Sequence, residues 1–121
     1  MSDAVIDTGV LLDYLAGDER AQRAIAPCVH RAISVVTWLE LMAVCPAGQL
    51  DAARGFLRTF ERLSISESVA DEALRLVQAR PGLPLNRALA WATARVNQLY
   101  FVTSEPACAG LVLAYQGTKG T

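Results

Sequence analysis

The spacing of the apolar residues changes along the chain between two patterns, one typical of strands and one typical of helices. Short apolar runs rich in β-branched and aromatic residues, typical of buried strands, occur at residues 4–6, 31–36, 99–103 and 110–115. Between them, apolar residues recur three and four positions apart, which predicts helices at 10–15, 17–27, 37–44, 50–63, 64–79 and 86–98. Strands separated by helices predict a parallel sheet with helices on both faces.

The length and composition indicate one domain over residues 1–121. A chain of 121 residues is long enough to bury a core, and its 53% hydrophobic content is high enough that we expect some apolar surface to be shared with a partner. The net charge of −1 excludes an overall basic field that would attract nucleic acid. Ten of the eleven basic residues are Arg, however, and Arg suits local phosphate contacts.

The cysteine content and the absence of long apolar runs point to the cytoplasm. The three cysteines, Cys28, Cys45 and Cys108, are odd in number and lack the spacing of a metal site, so we predict free thiols. No signal peptide opens the chain, and no apolar run reaches the ~18 residues of a membrane span. We therefore expect a cytoplasmic protein without a membrane partner.

Three acidic residues stand where predicted strands end. Asp7 follows the first strand, Glu40 lies in the first turn after the second, and Glu105 follows the third. Because the carboxyl ends of parallel strands share one edge of a sheet, these side chains are expected to converge there. Clustered carboxylates repel one another, and a hard divalent cation is the usual reason that a protein tolerates them.

Each of these acids also has a purely structural interpretation. Asp7 is a good helix N-cap. Residues 37–40, Thr-Trp-Leu-Glu, fit a capping box in which Glu40 would reach back to the first amide of the helix. Glu105 precedes Pro106, a residue typical of helix starts. The sequence leaves the capping and cation-site interpretations open for each residue.

Four segments in order resemble the PIN-domain family, in particular the VapC-like toxins of bacterial toxin–antitoxin pairs. They are VIDTGVLLDYL at 5–15, ISVVTWLELMAV at 33–44, LPLNRALAWATA at 83–94 and LYFVTSEP at 99–106. The resemblance implies an α/β class fold, a single-domain PIN-like α/β/α sandwich with a central parallel sheet of four to five strands. The chain has neither the G-x-G-x-x-G of dinucleotide-binding folds nor the G-x-x-x-x-G-K of P-loop proteins.

The resemblance implies a ribonuclease that depends on Mg²⁺ or Mn²⁺ and hydrolyses RNA phosphodiester bonds with a metal-activated water. Asp7 matches the first acid of the family and Glu40 the second. Asn86 falls where the family has its third acid, and Glu105 falls where an Asp is usual. The resemblance thus gives Asp7, Glu40, Asn86 and Glu105 as catalytic positions, with Asp7, Glu40 and Glu105 as the metal ligands.

Polar and small residues beside these positions also match the family pattern in part. Thr8, Thr103 and Ser104 are the residues expected to support the acids. Gly9 replaces an Asn that commonly follows the first acid. The expected partners are an RNA substrate, a cognate antitoxin and a second copy of the chain in a homodimer.

The two changed acidic positions leave two functions open. Asn86 keeps an oxygen of similar reach but loses its charge, and Glu105 places its carboxylate about one bond farther out. Loss of one charge beside a divalent ion predicts metal binding weaker by about a hundredfold or more. The chain is therefore expected to be either an endoribonuclease of the VapC type or a catalytically degenerate PIN-fold module that binds RNA or protein. A third expectation is a scaffold that acts through oligomerisation alone. A neighbouring reading frame for a small DNA-binding antitoxin would favour the toxin.

Overall fold

Five parallel strands form the centre of the molecule. The computed structural model describes residues 2–105, 108 and 112–114, and its sheet has the strand order β3-β2-β1-β4-β5. All four pairings are parallel, and Val5 in the central strand lies opposite Ala32 on one side and Phe101 on the other. The strands are β1 Ser2–Ile6, β2 Cys28–Ser34, β3 Glu61–Leu63, β4 Tyr100–Thr103 and β5 Val112–Ala114.

In the described part of the chain, six α-helices connect the strands and cover both faces of the sheet. They are α1 Thr8–Leu15, α2 Glu19–Ile25, α3 Val35–Val44, α4 Leu50–Leu57, α5 Glu67–Ala79 and α6 Leu85–Val96, with a short 3₁₀ turn at Ala47–Gln49. Successive strand side chains point to opposite faces. Val5 packs with α5 and α6 around the buried Trp91, whereas Ile6 packs with the helices α1 to α4. The predicted α/β/α sandwich with a parallel sheet is confirmed.

Two of the errors in the predicted boundaries have a clear physical cause: a local cap begins α3 early, and pairing with β2 overrides the helical spacing of residues 61–63. The strand predicted at 31–36 ends at Ser34, whose hydroxyl accepts the amide of Val36 at 3.1 Å and caps α3. The helix predicted at 50–63 ends at Leu57, and Glu61–Leu63 instead pair with β2 as the edge strand β3. The strand predicted at 110–115 is present over Val112–Ala114, and residues 110, 111 and 115 lie outside the described part of the chain.

The structure confirms the predicted free cysteines. None of the three cysteines forms a disulfide. Among the described residues, no helix combines the length and the apolar character that a bilayer crossing requires.

Glu72 ties α5 to α6 through two arginines. Its carboxylate accepts hydrogen bonds from Arg75 Nε at 2.9 Å and from Arg95 Nε at 2.6 Å. These bonds, that from Arg75 above all, lower the pKa of Glu72 to about 2. The pairing therefore favours the folded state while Glu72 is ionised.

Glu72→Gln is expected to lower the free energy of unfolding by about 1 kcal/mol at pH 7. Because the pKa of Glu72 is depressed in the folded state, its contribution is complete above the ordinary value of 4.5 and is lost as pH falls toward about 2. Urea denaturation at several pH values measures the difference between variant and wild type. The control is Asp71→Asn on the exposed face of the same helix. A difference that does not shrink on acidification would contradict this role of Glu72.

Candidate active site

The parallel sheet brings the acidic residues to one edge, as predicted from the strand ends. Asp7 directly follows β1, and its amide donates to Val102 O of the neighbouring β4 at 2.9 Å. Glu105 lies two residues beyond β4. Glu40 belongs to the second turn of α3, the helix that follows β2, and Asn86 lies in the first turn of α6.

Asp7 is a buried carboxylate with hydrogen bonds on both oxygens. It is only 3% exposed. Oδ1 accepts the amide of Thr8 at 2.8 Å, which caps α1, while Oδ2 accepts the Thr103 hydroxyl at 2.7 Å and Arg87 Nε at 3.1 Å. Burial raises the pKa of Asp7, and the bonds from Thr103 and Arg87 oppose that rise. The capping interpretation of Asp7 is thus correct, and the same carboxylate also binds an arginine.

Glu40 is held by two side chains from other helices. The Thr8 hydroxyl donates to Oε1 at 2.7 Å and lies 2.9 Å from the Thr37 hydroxyl, and Asn86 Nδ2 donates to Oε2 at 2.6 Å. The capping-box interpretation of Glu40 is wrong, because Ser34 caps α3 and Thr37 lies inside the helix. Glu40 faces the cluster.

Arg87 joins the remaining acid to Asp7. Its Nη1 donates to Glu105 Oε1 at 3.4 Å while its Nε contacts Asp7, and the Arg87 side chain is 27% exposed. The Glu105 amide donates to the Thr103 hydroxyl at 3.0 Å, so Thr103 supports both acids, as expected. Ser104 adds no hydrogen bond to the described part of the site.

Arg87 is the functional residue that the sequence pattern understates. Helical spacing places it beside Asn86, where a solvated arginine or a phosphate contact is equally reasonable. The signal available was its position in the first turn of a helix that meets the acidic edge. Gly9 faces its guanidinium, since a Cβ at Gly9 would lie 3.9 Å from Arg87 Nη2.

The acidic side chains of the cluster have the oxygen atoms that a divalent cation requires, but these oxygens accept hydrogen bonds from Arg87 and Asn86. Carboxylate oxygens are preferred ligands of Mg²⁺ and Mn²⁺. Among the described residues, however, no group of three or more His, Cys, Asp or Glu side chains is spaced to hold a metal. Arg87 binds Asp7 and Glu105, and Asn86 donates to Glu40. The carboxylates of Asp7, Glu40 and Glu105 suit a cation in chemistry, and Asp7 and Glu105 hold the guanidinium of Arg87.

Cys108 lies near this cluster but is not suited to act as a nucleophile. Burial, with a smaller effect from the negative charge of Asp7, raises the pKa of its thiol to about 12. The thiolate, which is the reactive form, is therefore scarce at neutral pH.

Thr103→Val is expected to destabilise the protein by about 1–3 kcal/mol, because a buried carboxylate loses a hydrogen-bond donor without gaining space for water. The pKa of Asp7 should rise further. Chemical denaturation and a carboxyl-carbon NMR titration of Asp7 measure the two effects. Thr93→Val is the matched control, since Thr93 is also fully buried but donates only to Leu89 O of its own helix, at 2.8 Å. Equal losses in both variants would contradict a specific role of Thr103.

Comparison with solved structures identifies proteins of the same fold, among them two that are described as toxin–antitoxin proteins. A chain described as a toxin–antitoxin complex from Klebsiella pneumoniae superposes with a TM-score of 0.82 at 30% identity, over 91% of this chain and 95% of that one. FitAcB from Neisseria gonorrhoeae gives a TM-score of 0.69 at 18% identity, over 84% of this chain and 87% of that one. VapBC-5 from Mycobacterium tuberculosis gives 0.62 at 19% identity, over 93% and 96%. The latter two similarities show the fold alone.

Two sequence comparisons gave different outcomes. No curated protein sequence matches the chain. The family model of the PIN domain matches residues 4–107, which include both Asp7 and Glu105. The chain belongs to the PIN-domain family.

Proposed function

We propose that this protein is the toxin of a toxin–antitoxin pair, an endoribonuclease that hydrolyses RNA in the cytoplasm with Mg²⁺ or Mn²⁺. The observation that carries the proposal is the cluster of Asp7, Glu40, Asn86 and Glu105 at one edge of the sheet, linked through Thr8 and Arg87. The family membership and the similarity to toxin–antitoxin proteins support the same class of function.

In this mechanism the chain presents carboxylate oxygens in fixed positions. When bound, the metal lowers the pKa of a water and offsets charge on the scissile phosphate. Asp7 is fixed by the Thr8 amide and by Thr103, and Glu40 is fixed by the Thr8 hydroxyl. Thr8 therefore orients two acids from one position, which limits the reorganisation needed when a cation binds.

A catalytically degenerate PIN module is the second candidate function. The observation in its favour is that Asn86 supplies an amide hydrogen, not an oxygen, to Glu40. The neutral side chain removes one charge from the cluster, and Arg87 offsets another. Such a protein would keep the fold and its partner contacts while cleaving no RNA.

An apolar groove between α1, α3 and α4 fits the antitoxin. Its volume is about 420 Å³, and Leu15 on its wall is 57% exposed. The Klebsiella pneumoniae relative is described as a toxin–antitoxin complex, and exposed apolar surface of this kind indicates a protein contact. We propose that an apolar segment of the antitoxin occupies the groove. Leu12, Leu15, Leu41, Val44 and Phe56 are among its lining residues.

Homodimer formation is proposed as well, on the apolar composition and on the expectation from the family. We assign the dimer contact to a surface other than the groove, so that the chain can bind the antitoxin and a second copy of itself at the same time. Exposed leucines outside the groove, such as Leu74 on α5 and Leu85 on α6, are available for it.

Asn86→Asp tests the nuclease. The added carboxylate is expected to tighten Mn²⁺ binding about a hundredfold. Without metal it would repel Glu40 and lower the melting temperature. Calorimetric titration, thermal unfolding and cleavage of a labelled single-stranded RNA with and without EDTA measure these effects. Cleavage should appear or increase in the variant.

The double variant Asp7→Asn, Asn86→Asp is the control and should lose both the tight binding and the cleavage. Tight metal binding by Asn86→Asp without any RNA cleavage would favour the degenerate module. Unchanged metal affinity and unchanged stability of the metal-free protein would contradict the site assignment itself.

Leu15→Glu tests the groove. It should weaken binding of the antitoxin encoded beside this protein at least tenfold, because a carboxylate would be buried against apolar side chains. The control is Val29→Glu on β2, since Val29 is 63% exposed and lies outside the groove. Calorimetry gives the affinity and light scattering the oligomeric state. Dissociation of a homodimer by Leu15→Glu would instead assign the groove to self-association.

A further inference from the structure

Arg87 takes a position in which it competes with any metal ion for the same oxygens. Its guanidinium contacts Asp7 Oδ2 through Nε at 3.1 Å and Glu105 Oε1 through Nη1 at 3.4 Å. These carboxylates come from the ends of two neighbouring strands, whereas Arg87 comes from α6. One side chain thus crosses from a helix to the sheet edge and joins two of the three proposed metal ligands.

The charges in the cluster explain why an arginine is held there. Asp7, Glu40 and Glu105 carry three negative charges, and Arg87 carries one positive charge, which leaves a local net charge of −2. Asp7 is almost completely buried, so its charge needs a nearby counter-ion. Arginine does not lose its proton in proteins, and its planar fork suits carboxylates. The pair with Asp7 is therefore permanent unless another cation replaces Arg87.

The local sequence leaves space for this arrangement. Gly9, which replaces a common Asn of the family, faces the guanidinium, and a Cβ there would already lie 3.9 Å from Nη2. A longer side chain at this position would reach the space that Arg87 uses. Asn86, the neutral residue of the cluster, directly precedes Arg87 in the chain. The reduced acidity at position 86 and the added cation at position 87 act in the same direction, since both lower the attraction for a metal.

We propose that Arg87 is a tethered counter-cation that competes with the divalent metal for Asp7 and Glu105. The inference rests on the proposed function, because it takes these carboxylates to be metal ligands. A divalent ion and a guanidinium at the same oxygens repel each other, so the metal binds only when Arg87 moves away. At low metal concentration Arg87 serves as the counter-ion of the buried Asp7 and also pairs with Glu105. The protein thereby stays folded without metal and needs a higher metal concentration to become loaded.

Arg87→Gln is the direct test. Removal of the competing charge is expected to raise the affinity for Mn²⁺ at least about tenfold in a calorimetric titration without RNA. The metal-free variant should melt below the wild type, because Asp7 loses its counter-ion. Saturating Mn²⁺ should raise the melting temperature of the variant more than that of the wild type. Both measurements are independent of catalysis.

The control is Arg95→Gln on the same helix, since Arg95 pairs with Glu72 of α5 and not with Asp7 or Glu105. It should leave the Mn²⁺ affinity unchanged. The double variant Asp7→Asn, Arg87→Gln should lose the gain, since one of the freed ligands is gone. Arg87→Lys keeps the charge and provides the test if Arg87→Gln fails to fold. Its Mn²⁺ affinity should stay within about threefold of the wild type.

The outcomes separate this inference from the proposed function. Equal Mn²⁺ affinities of the wild type and a folded Arg87→Gln would overturn the competition and leave the metal site standing. If Arg87→Gln does not fold, a more than tenfold gain by Arg87→Lys overturns it, since the charge is retained. Absence of Mn²⁺ binding in all variants at millimolar concentration would overturn the metal part of the proposed function, and the competition with it.

Discussion

The buried carboxylate of Asp7 is the constraint on which the site depends. At 3% exposure it needs hydrogen bonds on both oxygens, and it takes them from the start of α1, from Thr103 of β4 and from Arg87 of α6. Two elements that are distant in sequence, β4 and α6, must therefore meet the start of α1 where β1 ends. Glu105 and, through Thr8, Glu40 join the same network. The parallel sheet determines where the acids lie, and Arg87 offsets part of their negative charge.

The sequence predicted the acids because their positions follow from a local rule. A strand that ends at Ile6 places Asp7 at the sheet edge whatever the other contacts are, and the same rule applies to Glu105 after β4. The fold class also follows from the order of strand and helix patterns. The family resemblance, not periodicity, drew attention to Asn86, which the structure joins to Glu40.

Two of the features that the sequence did not predict depend on contacts between distant residues, and the third depends on a competing local cap. Strand β3 is only three residues long, and its residues continue the apolar spacing of the preceding helix, so nothing local distinguishes it. The capping box at 37–40 failed because Ser34 offered an earlier cap. The position of Arg87 in the first turn of α6 was only a weak signal, because an arginine on a helix is usually solvated and its partners lie 80 and 18 residues away.

The departures from the family pattern form one consistent set in space. Asn86 donates to Glu40 where an acid would repel it, Gly9 leaves room for a guanidinium, and Arg87 uses that room. Together they lower the negative charge of the cluster without disturbing the fold. We therefore expect the protein to fold without metal. On the proposed function, activity as a nuclease would depend on whether a divalent ion displaces Arg87.

The most direct test is the NMR signal of the Arg87 side chain in the metal-free protein. The account predicts an Nε–Hε resonance that exchanges slowly with water, since Nε donates to the buried Asp7 at 3.1 Å. Arg87→Gln assigns the resonance by its disappearance, and Asp7→Asn should make its exchange faster while other arginine signals stay unchanged. Exchange of Arg87 at the rate of a solvated arginine, unaffected by Asp7→Asn, would contradict the account.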